Sequence, residues 1–271
     1  MSETICLNCQ AESQPFQKFC SQCGQTLATH RLTLPHFIHD LFHALTHADK
    51  GIFYLLKGMA TKPGVVAREY IAGKRKKYFN PFTFFLILMG LYVFSNTIFS
   101  AQKNIEPSSQ VLARIPTEEG RLKYERGLEV SMFMSKHGNI VAMIAVPFIA
   151  FIAWLFYRKN RYNYAEHLTA NLMFVTFSNL VFTLLVLPLQ GLYRGSPAFG
   201  YFVYGGLLLQ AIYYTWCYYQ LMQYRSFGKL VKVFLVSALA IFLWSIFAMS
   251  LMGLYIYRNG HFYEFFRQMS R

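Results

Sequence analysis

The chain has 271 residues, of which 55% are hydrophobic, 18% aromatic and only 14% charged. Soluble domains carry about 25% charged residues, so this composition excludes an ordinary soluble domain and indicates a membrane protein. The formal net charge is +14, but the cations gather at the ends of apolar segments, a pattern typical of contact with a lipid bilayer and its anionic lipids and not of nucleic-acid binding.

Two Cys-x2-Cys pairs lie near the N-terminus, and their four cysteines are Cys6, Cys9, Cys20 and Cys23. A two-residue spacer lets a tight turn aim both thiolates at one ion, and two such turns complete a tetrahedral site. Gly24 gives the second turn the backbone freedom that it needs. Four thiolates leave no open coordination position, so the pattern predicts one structural zinc ion, with iron as a minor alternative. Residues 1–28 are therefore predicted to form a zinc ribbon.

The alternative to a metal site is a pair of disulfide bonds. Disulfides are typical of exported domains, and the first residues of the chain lack the basic and apolar regions of a secretory signal. The metal site is therefore favoured, and we expect the N-terminus on the reducing, cytoplasmic side of the membrane.

Residues 29–80 are predicted to form an amphipathic helix followed by a basic juxtamembrane segment. One face of the helix carries a histidine stripe, which consists of His36, His39, Asp40, His43 and His47. The opposite arc is apolar from Phe37 to Met59, so the helix should lie along the cytoplasmic membrane surface. Imidazoles one turn apart beside a carboxylate favour a second metal site or a proton relay. A solvated polar face is the other interpretation.

Four adjacent cations lead into the first apolar segment, and they are Lys74, Arg75, Lys76 and Lys77. Each can contribute about 1 kcal/mol of attraction to anionic lipid headgroups near the membrane surface. A phosphate-bearing lipid substrate would use the same groups, but anchoring is the favoured interpretation.

Five uncharged windows long enough to cross the hydrocarbon core follow, at residues 81–100, 138–157, 168–189, 199–222 and 233–257. They predict an all-α integral membrane protein with about five transmembrane helices over residues 81–257. The connection at 101–137 would be an extracytoplasmic loop, helical around Glu118 to Met134, and residues 258–271 a C-terminal tail. With the N-terminus inside, 16 of the 26 Lys and Arg residues fall on the cytoplasmic side, as the positive-inside rule requires.

Ionisable and amide side chains also occur within the apolar windows. Glu166 and His167 lie at the mouth of the third window, with Asn171 one turn further along. An ionisable residue near membrane depth is a functional hypothesis, so these three residues form a predicted membrane-mouth site. Asn179 and Gln210 lie deeper, where polar side chains usually join helices by hydrogen bonds.

The order of motifs resembles the bacterial domain of unknown function 3667 family. The motifs are the two cysteine pairs, residues 47–51, Pro63-Gly64, Arg68-Glu69-Tyr70, residues 73–81 and residues 164–168. The resemblance implies a bacterial inner-membrane protein with a cytoplasmic ribbon, and it implies no reaction.

The sequence shows no catalytic constellation, so we expect a non-enzymatic scaffold whose ribbon docks a cytoplasmic protein partner at the membrane. One alternative is a transporter or lipid-handling protein that binds an anionic lipid or solute in a bundle cavity lined by Asn171, Asn179 and Gln210. Another alternative is a membrane metalloprotein that uses the histidine stripe.

Overall fold

A computed structural model describes residues 4–14, 17–27, 33, 51–99, 109–158, 162–193 and 196–257. Within these residues the chain is helical apart from a small antiparallel sheet at the N-terminal end. Strand β1 (Thr4–Ile5) pairs with strand β2 (Glu12–Ser13), and an isolated bridge joins Phe19 to Thr26. The predicted all-α fold class is confirmed.

The described helices are α1 (Ile52–Thr61), α2 (Pro63–Ile71), α3 (Pro81–Phe99), α4 (Ser109–Arg114), α5 (Glu118–Tyr157), α6 (Tyr164–Val181), α7 (Leu187–Leu192), α8 (Phe199–Leu221) and α9 (Phe227–Tyr257). A π-helical segment, Phe182–Val186, connects α6 to α7. Each of the five windows predicted from the sequence coincides with helix over most or all of its described residues, namely α3, α5, the run from α6 to α7, α8 and α9.

Three helical segments of the described chain are long and apolar enough to cross a membrane, which indicates a membrane protein. They are Ile140–Tyr157 in α5, Tyr164–Leu192 from α6 through α7, and Phe227–Tyr257, which is α9. The predicted count of about five spans stays a prediction for α3 and α8. Helix α8 has 23 residues, but its tyrosine, glutamine and glycine content lowers its hydropathy.

Helix α5 is longer than the window that predicted it. It begins at Glu118, where the Thr117 hydroxyl accepts a hydrogen bond from Gly120 N at 3.2 Å, and it continues to Tyr157 across non-helical dihedrals at His137. The helical part of the predicted 101–137 loop is therefore joined directly to the following apolar segment.

Helix α6 lies at the centre of the bundle. Most of its 18 residues are buried, and α1, α2, α3, α5 and α8 all pack around it. Helix α9 is peripheral, since only 22% of its apolar window is buried. Side chains at the start of α6 therefore lie in the protein interior.

Helices α1 and α2 pack on one end of this bundle, which we call the ribbon end. Leu55 and Met59 of α1 are fully buried in the same core as α6, so the inner face of α1 contacts protein. Helix α2 approaches α8 so closely that a Cβ atom added at Gly64 would lie 2.4 Å from Leu221 N. Only glycine fits this contact.

Candidate functional site

The four cysteines predicted to bind a metal meet at one point. Their sulfur atoms all lie within 4.8 Å of one another, with 3.6 Å between the sulfurs of Cys6 and Cys23 and 3.6 Å between those of Cys9 and Cys20. All four are free thiols. Tetrahedral sites with metal–sulfur bonds of 2.3 Å place their sulfurs about 3.8 Å apart. The cluster therefore fits a single tetrahedral metal ion.

Both cysteine turns have the same backbone arrangement. Gln10 N donates to Cys6 O at 2.9 Å, and Gly24 N donates to Cys20 O at 2.8 Å. The residue after each pair is left-handed, with φ of 62° at Gln10 and 68° at Gly24. The sequence identified this position at Gly24 only, because glutamine gives no sign of a positive φ.

Backbone groups of the second turn prepare one thiol for metal binding. Hydrogen bonds from the backbone of Cys23 and Gln22 lower the pKa of Cys20 to about 6. The lowered pKa favours the thiolate, which is the form that binds metal.

One side chain joins the ribbon to the basic segment. Gln25 follows the second turn and is only 4% exposed. Its Nε2 donates to Gly73 O at 3.0 Å, and its Oε1 accepts from Lys76 N at 2.8 Å. Both ends of the amide thus hold the backbone just before α3. No local sequence pattern identifies Gln25, because its partners lie about fifty residues along the chain.

Two of the four predicted lipid-binding cations are paired within the protein. Lys74 Nζ lies 3.2 Å from the Glu69 carboxylate, and Lys77 Nζ lies 2.6 Å from it. Lys76 is exposed, whereas Arg75 is half-buried. The basic segment therefore presents a smaller free charge than its sequence indicates.

Glu69 is the centre of this polar cluster. Tyr78 also donates its hydroxyl to the carboxylate. Burial raises the pKa of Glu69, but the hydrogen bonds from Lys77, Tyr78 and Lys74 outweigh burial and lower the pKa to about 2. The carboxylate is therefore charged at neutral pH. The sequence placed Glu69 in a family motif without assigning it this role.

Glu166, from the predicted membrane-mouth site, caps the central helix. Asn163 Oδ1 accepts from Glu166 N at 2.9 Å, and Glu166 Oε2 accepts from Asn163 N at 2.7 Å. This reciprocal pair is a capping box, which satisfies two backbone donors at the start of α6. The carboxylate of Glu166 therefore caps the N-terminus of α6. The three-residue spacing of Asn163 and Glu166 in the sequence is typical of such a capping box.

His167 and Asn171 belong to a buried cluster with two tyrosines. Asn171 Nδ2 donates to Tyr218 Oη and to His167 O, and His167 Nδ1 lies 3.4 Å from Tyr218 Oη. The Tyr157 ring stacks on Tyr218 with 5.5 Å between centroids. Among the described residues, His167 Nε2, Asn171 Oδ1 and Tyr157 Oη have no hydrogen-bond partner. The cluster is therefore only partly satisfied, and no local spacing in the sequence links its tyrosines to His167.

The histidine stripe lies outside the described residues. Its second-metal interpretation, which rests on His36, His39, Asp40, His43 and His47, stays a prediction.

Two of the spaces between the helices that follow α4 are large enough to hold a small molecule. An inner cavity of about 390 Å³, lined by Asn179 and Gln210, lies between α5, α6, α8 and α9. An outer groove of about 560 Å³ lies between α5 and α9. Asn171 lies in the buried tyrosine cluster and is not among the described residues that line the inner cavity.

Comparison with known proteins gives one result. Residues 49–98 match the family described as protein of unknown function (DUF3667). No curated protein matches the chain, and no solved structure does. The matched segment contains α1, α2, the Glu69 cluster and most of α3. The resemblance drawn from the sequence motifs is therefore confirmed over residues 49–98, where the chain matches the DUF3667 family.

Proposed function

We propose that the protein is a non-enzymatic scaffold of the bacterial inner membrane, with its N-terminus in the cytoplasm, and that its zinc ribbon docks a cytoplasmic protein partner. The observation that carries this proposal is the four-sulfur cluster beneath an exposed apolar surface. With all four positions of a tetrahedral ion filled by protein sulfur, the metal fixes the shape of the ribbon and offers no position to a substrate.

The exposed apolar residues of the ribbon supply a docking surface. Ile5, Leu7 and Phe19 are 62%, 47% and 60% exposed. Ile5 and Phe19 each precede the first cysteine of a turn, so they occupy equivalent positions in the two halves of the ribbon. Large exposed apolar residues on so small a unit are typical of an interaction surface.

The ribbon is also anchored well enough to hold a partner. Gln25 bonds it to the segment before α3, and α2 is bonded in turn to α8. Arg68 Nη1 donates to Gln220 O at 2.9 Å, and Gly64 N donates to Gln220 Oε1 at 3.2 Å. A force applied to the ribbon is therefore transmitted to the membrane helices.

The grouping of chain segments at the ribbon end supports the proposed orientation. Tyr157 at the end of α5 stacks on Tyr218 near the end of α8, and Lys232 near the start of α9 lies over the Tyr157 ring. The connections that carry the Lys and Arg excess therefore share one end of the bundle with α1 and α2. The positive-inside rule assigns such an end to the cytoplasm.

Site-directed photo-crosslinking in intact cells tests the docking surface. A benzophenone amino acid at position 7 or 19 should give one discrete protein adduct. The same probe at Phe53, which is 82% exposed on α1, is the matched control and should not give that adduct. Combined serine substitution of Ile5 and Phe19 should remove the adduct formed at position 7. An adduct pattern identical at positions 7, 19 and 53, or unchanged by the serine variant, would refute the proposal.

A further inference from the structure

The inner cavity and the outer groove share a wall. Val141, Trp244 and Ala248 line both spaces. Ile144 and Leu251, which also line the groove, are exposed on the outer surface of the bundle. The two spaces therefore adjoin each other between α5 and α9, with Trp244 in the shared wall.

The inner cavity has a mostly apolar lining that contains amide side chains but no charged ones. None of its described lining residues is Asp, Glu, Lys or Arg. The side-chain amides of Asn179 and Gln210 face this space, and within the described chain neither makes a hydrogen bond. An amide that lacks a partner in apolar surroundings is costly, because no water is present to replace the missing bond. Both amides are therefore available to a ligand with an uncharged hydrogen-bonding group.

The outer groove has the opposite chemistry along most of its length. Its wall is formed by apolar side chains such as Val130, Phe133 and Met252. Glu129 also lines it, and Glu129 Oε2 accepts from the Tyr255 hydroxyl at 2.7 Å. No described lining residue is cationic, so the groove suits a hydrocarbon chain and repels a phosphate or carboxylate.

We propose that the groove and the cavity together bind an uncharged amphiphile. The alkyl or isoprenyl chain lies in the groove between α5 and α9, and the hydroxyl, ester or amide head bonds to Asn179 and Gln210. Both volumes are within the range of small-molecule sites, roughly 300–1,000 Å³. The site is separate from the proposed docking function of the ribbon. It also differs in ligand class from the anionic lipid expected from the sequence, because the described lining offers no cation.

Contact quenching of Trp244 measures this binding directly. The chain has three tryptophans, so Trp154→Phe and Trp216→Phe leave Trp244 as the reporter in the full-length protein. The protein is placed in phosphatidylcholine vesicles that contain increasing fractions of a diacylglycerol with brominated chains. We expect quenching that saturates at a few mole per cent. Brominated phosphatidylglycerol should quench only in proportion to its mole fraction.

Two kinds of variant separate the site from ordinary lipid contact. Asn179→Leu with Gln210→Leu removes both free amides and should raise the half-saturating fraction of brominated diacylglycerol about tenfold. Gln190→Leu changes an amide on α7, which lines neither space, and is the matched control. Ala248→Phe fills the shared wall and should abolish the saturable component. Each variant is first checked for unchanged helicity and a single elution peak.

Three results would overturn the proposal. These are linear quenching by both brominated lipids, saturation by phosphatidylglycerol in place of diacylglycerol, and saturable quenching that survives both the amide and the Ala248→Phe variants. Because the measurement uses no protein partner, failure here leaves the crosslinking result at the ribbon unaffected.

Discussion

The Gln25 and Glu69 side chains at the ribbon end are hydrogen-bonded more completely than three polar side chains of the bundle interior. At the ribbon end, both ends of the Gln25 amide are bonded and Glu69 accepts from three side chains. In the interior, His167 Nε2 has no partner among the described residues, and the amides of Asn179 and Gln210 face an open space. Fully paired groups hold a shape, whereas unpaired groups within the membrane helices leave bonding capacity for something else.

Loss of the metal should have the largest effect on stability, and this effect should be confined to the ribbon end. Cys20→Ser is expected to abolish metal binding and unfold the ribbon, since a four-cysteine unit of this size depends on its ion for stability. Elemental analysis should find one zinc per wild-type chain and none in the variant. Hydrogen exchange should accelerate at residues 4–27 and 73–76.

Cys217→Ser is the control for that change, because Cys217 is buried in α8 away from the cluster. It should retain one ion per chain. If the wild type bound two zinc ions and the Cys20→Ser variant retained one of them, the result would support the histidine stripe as a second metal site.

The close contact of α2 with α8 should give the next largest effect. An alanine at Gly64 would bring its Cβ within 2.5 Å of Cys217 O, so Gly64→Ala should lower the free energy of unfolding by about 1–3 kcal/mol. The measurement is thermal unfolding in detergent micelles, followed by circular dichroism. Gly205→Ala is the control, because an added Cβ there meets nothing within 4 Å. Equal effects of the two variants would contradict the packing described for the ribbon end.

A matched pair of amide substitutions tests the central comparison. Gln25→Leu removes the buried hydrogen bond to Gly73 O and the partly buried one from Lys76 N, so it should cost about 1–3 kcal/mol. Asn179→Leu removes an amide that has no bond among the described residues, so it should be neutral or slightly stabilising in ligand-free micelles. Unfolding of both variants is measured with metal bound. A loss for Asn179→Leu as large as that for Gln25→Leu would remove the distinction between the two regions.

The Glu69 cluster should give the smallest effect and a defined pH dependence. The pKa of Glu69 falls from 4.5 to about 2 in the folded protein, so its stabilisation is fully present above about pH 4.5 and is lost as the pH falls towards 2. Glu69→Gln should therefore cost about 1 kcal/mol or less at pH 7, because the ion pairs are partly exposed. The difference from wild type should shrink through that pH range.

Glu119→Gln is the comparison variant for Glu69, because Glu119 forms an exposed pair with Lys123 at 2.9 Å. It should change stability by a few tenths of a kcal/mol. A Glu69→Gln penalty that stays constant from pH 7 to pH 2 would show that the lost interaction is not electrostatic.

Features that depend on local spacing could be predicted from the sequence. The two Cys-x2-Cys turns fix where four sulfurs meet, and uncharged windows of about 20 residues mark the helices that follow. Hydropathy does not identify α8 as a membrane span, because its tyrosines lower the mean hydropathy of the helix. The spacing of Asn163 and Glu166 also matches a capping box, which explains the Glu166 carboxylate without a membrane-mouth site.

Features that depend on distant contacts could not be predicted in this way. Gln25 reaches the turn before α3, and Tyr218 reaches His167 from another helix. No periodicity or spacing in a single sequence predicts either contact. The same holds for Asn179 and Gln210, whose availability follows from the space between four helices.

The hydrogen bonds of Gln25 influence how the ribbon is held against the membrane helices. Because the planar amide is hydrogen-bonded at both its oxygen and its nitrogen, rotation of the ribbon about that contact is restricted. The exposed side chains of the ribbon, Ile5, Leu7 and Phe19, therefore keep a preferred orientation relative to the membrane helices. The docking surface is thus oriented before a partner binds, so the ribbon loses little rotational freedom on association.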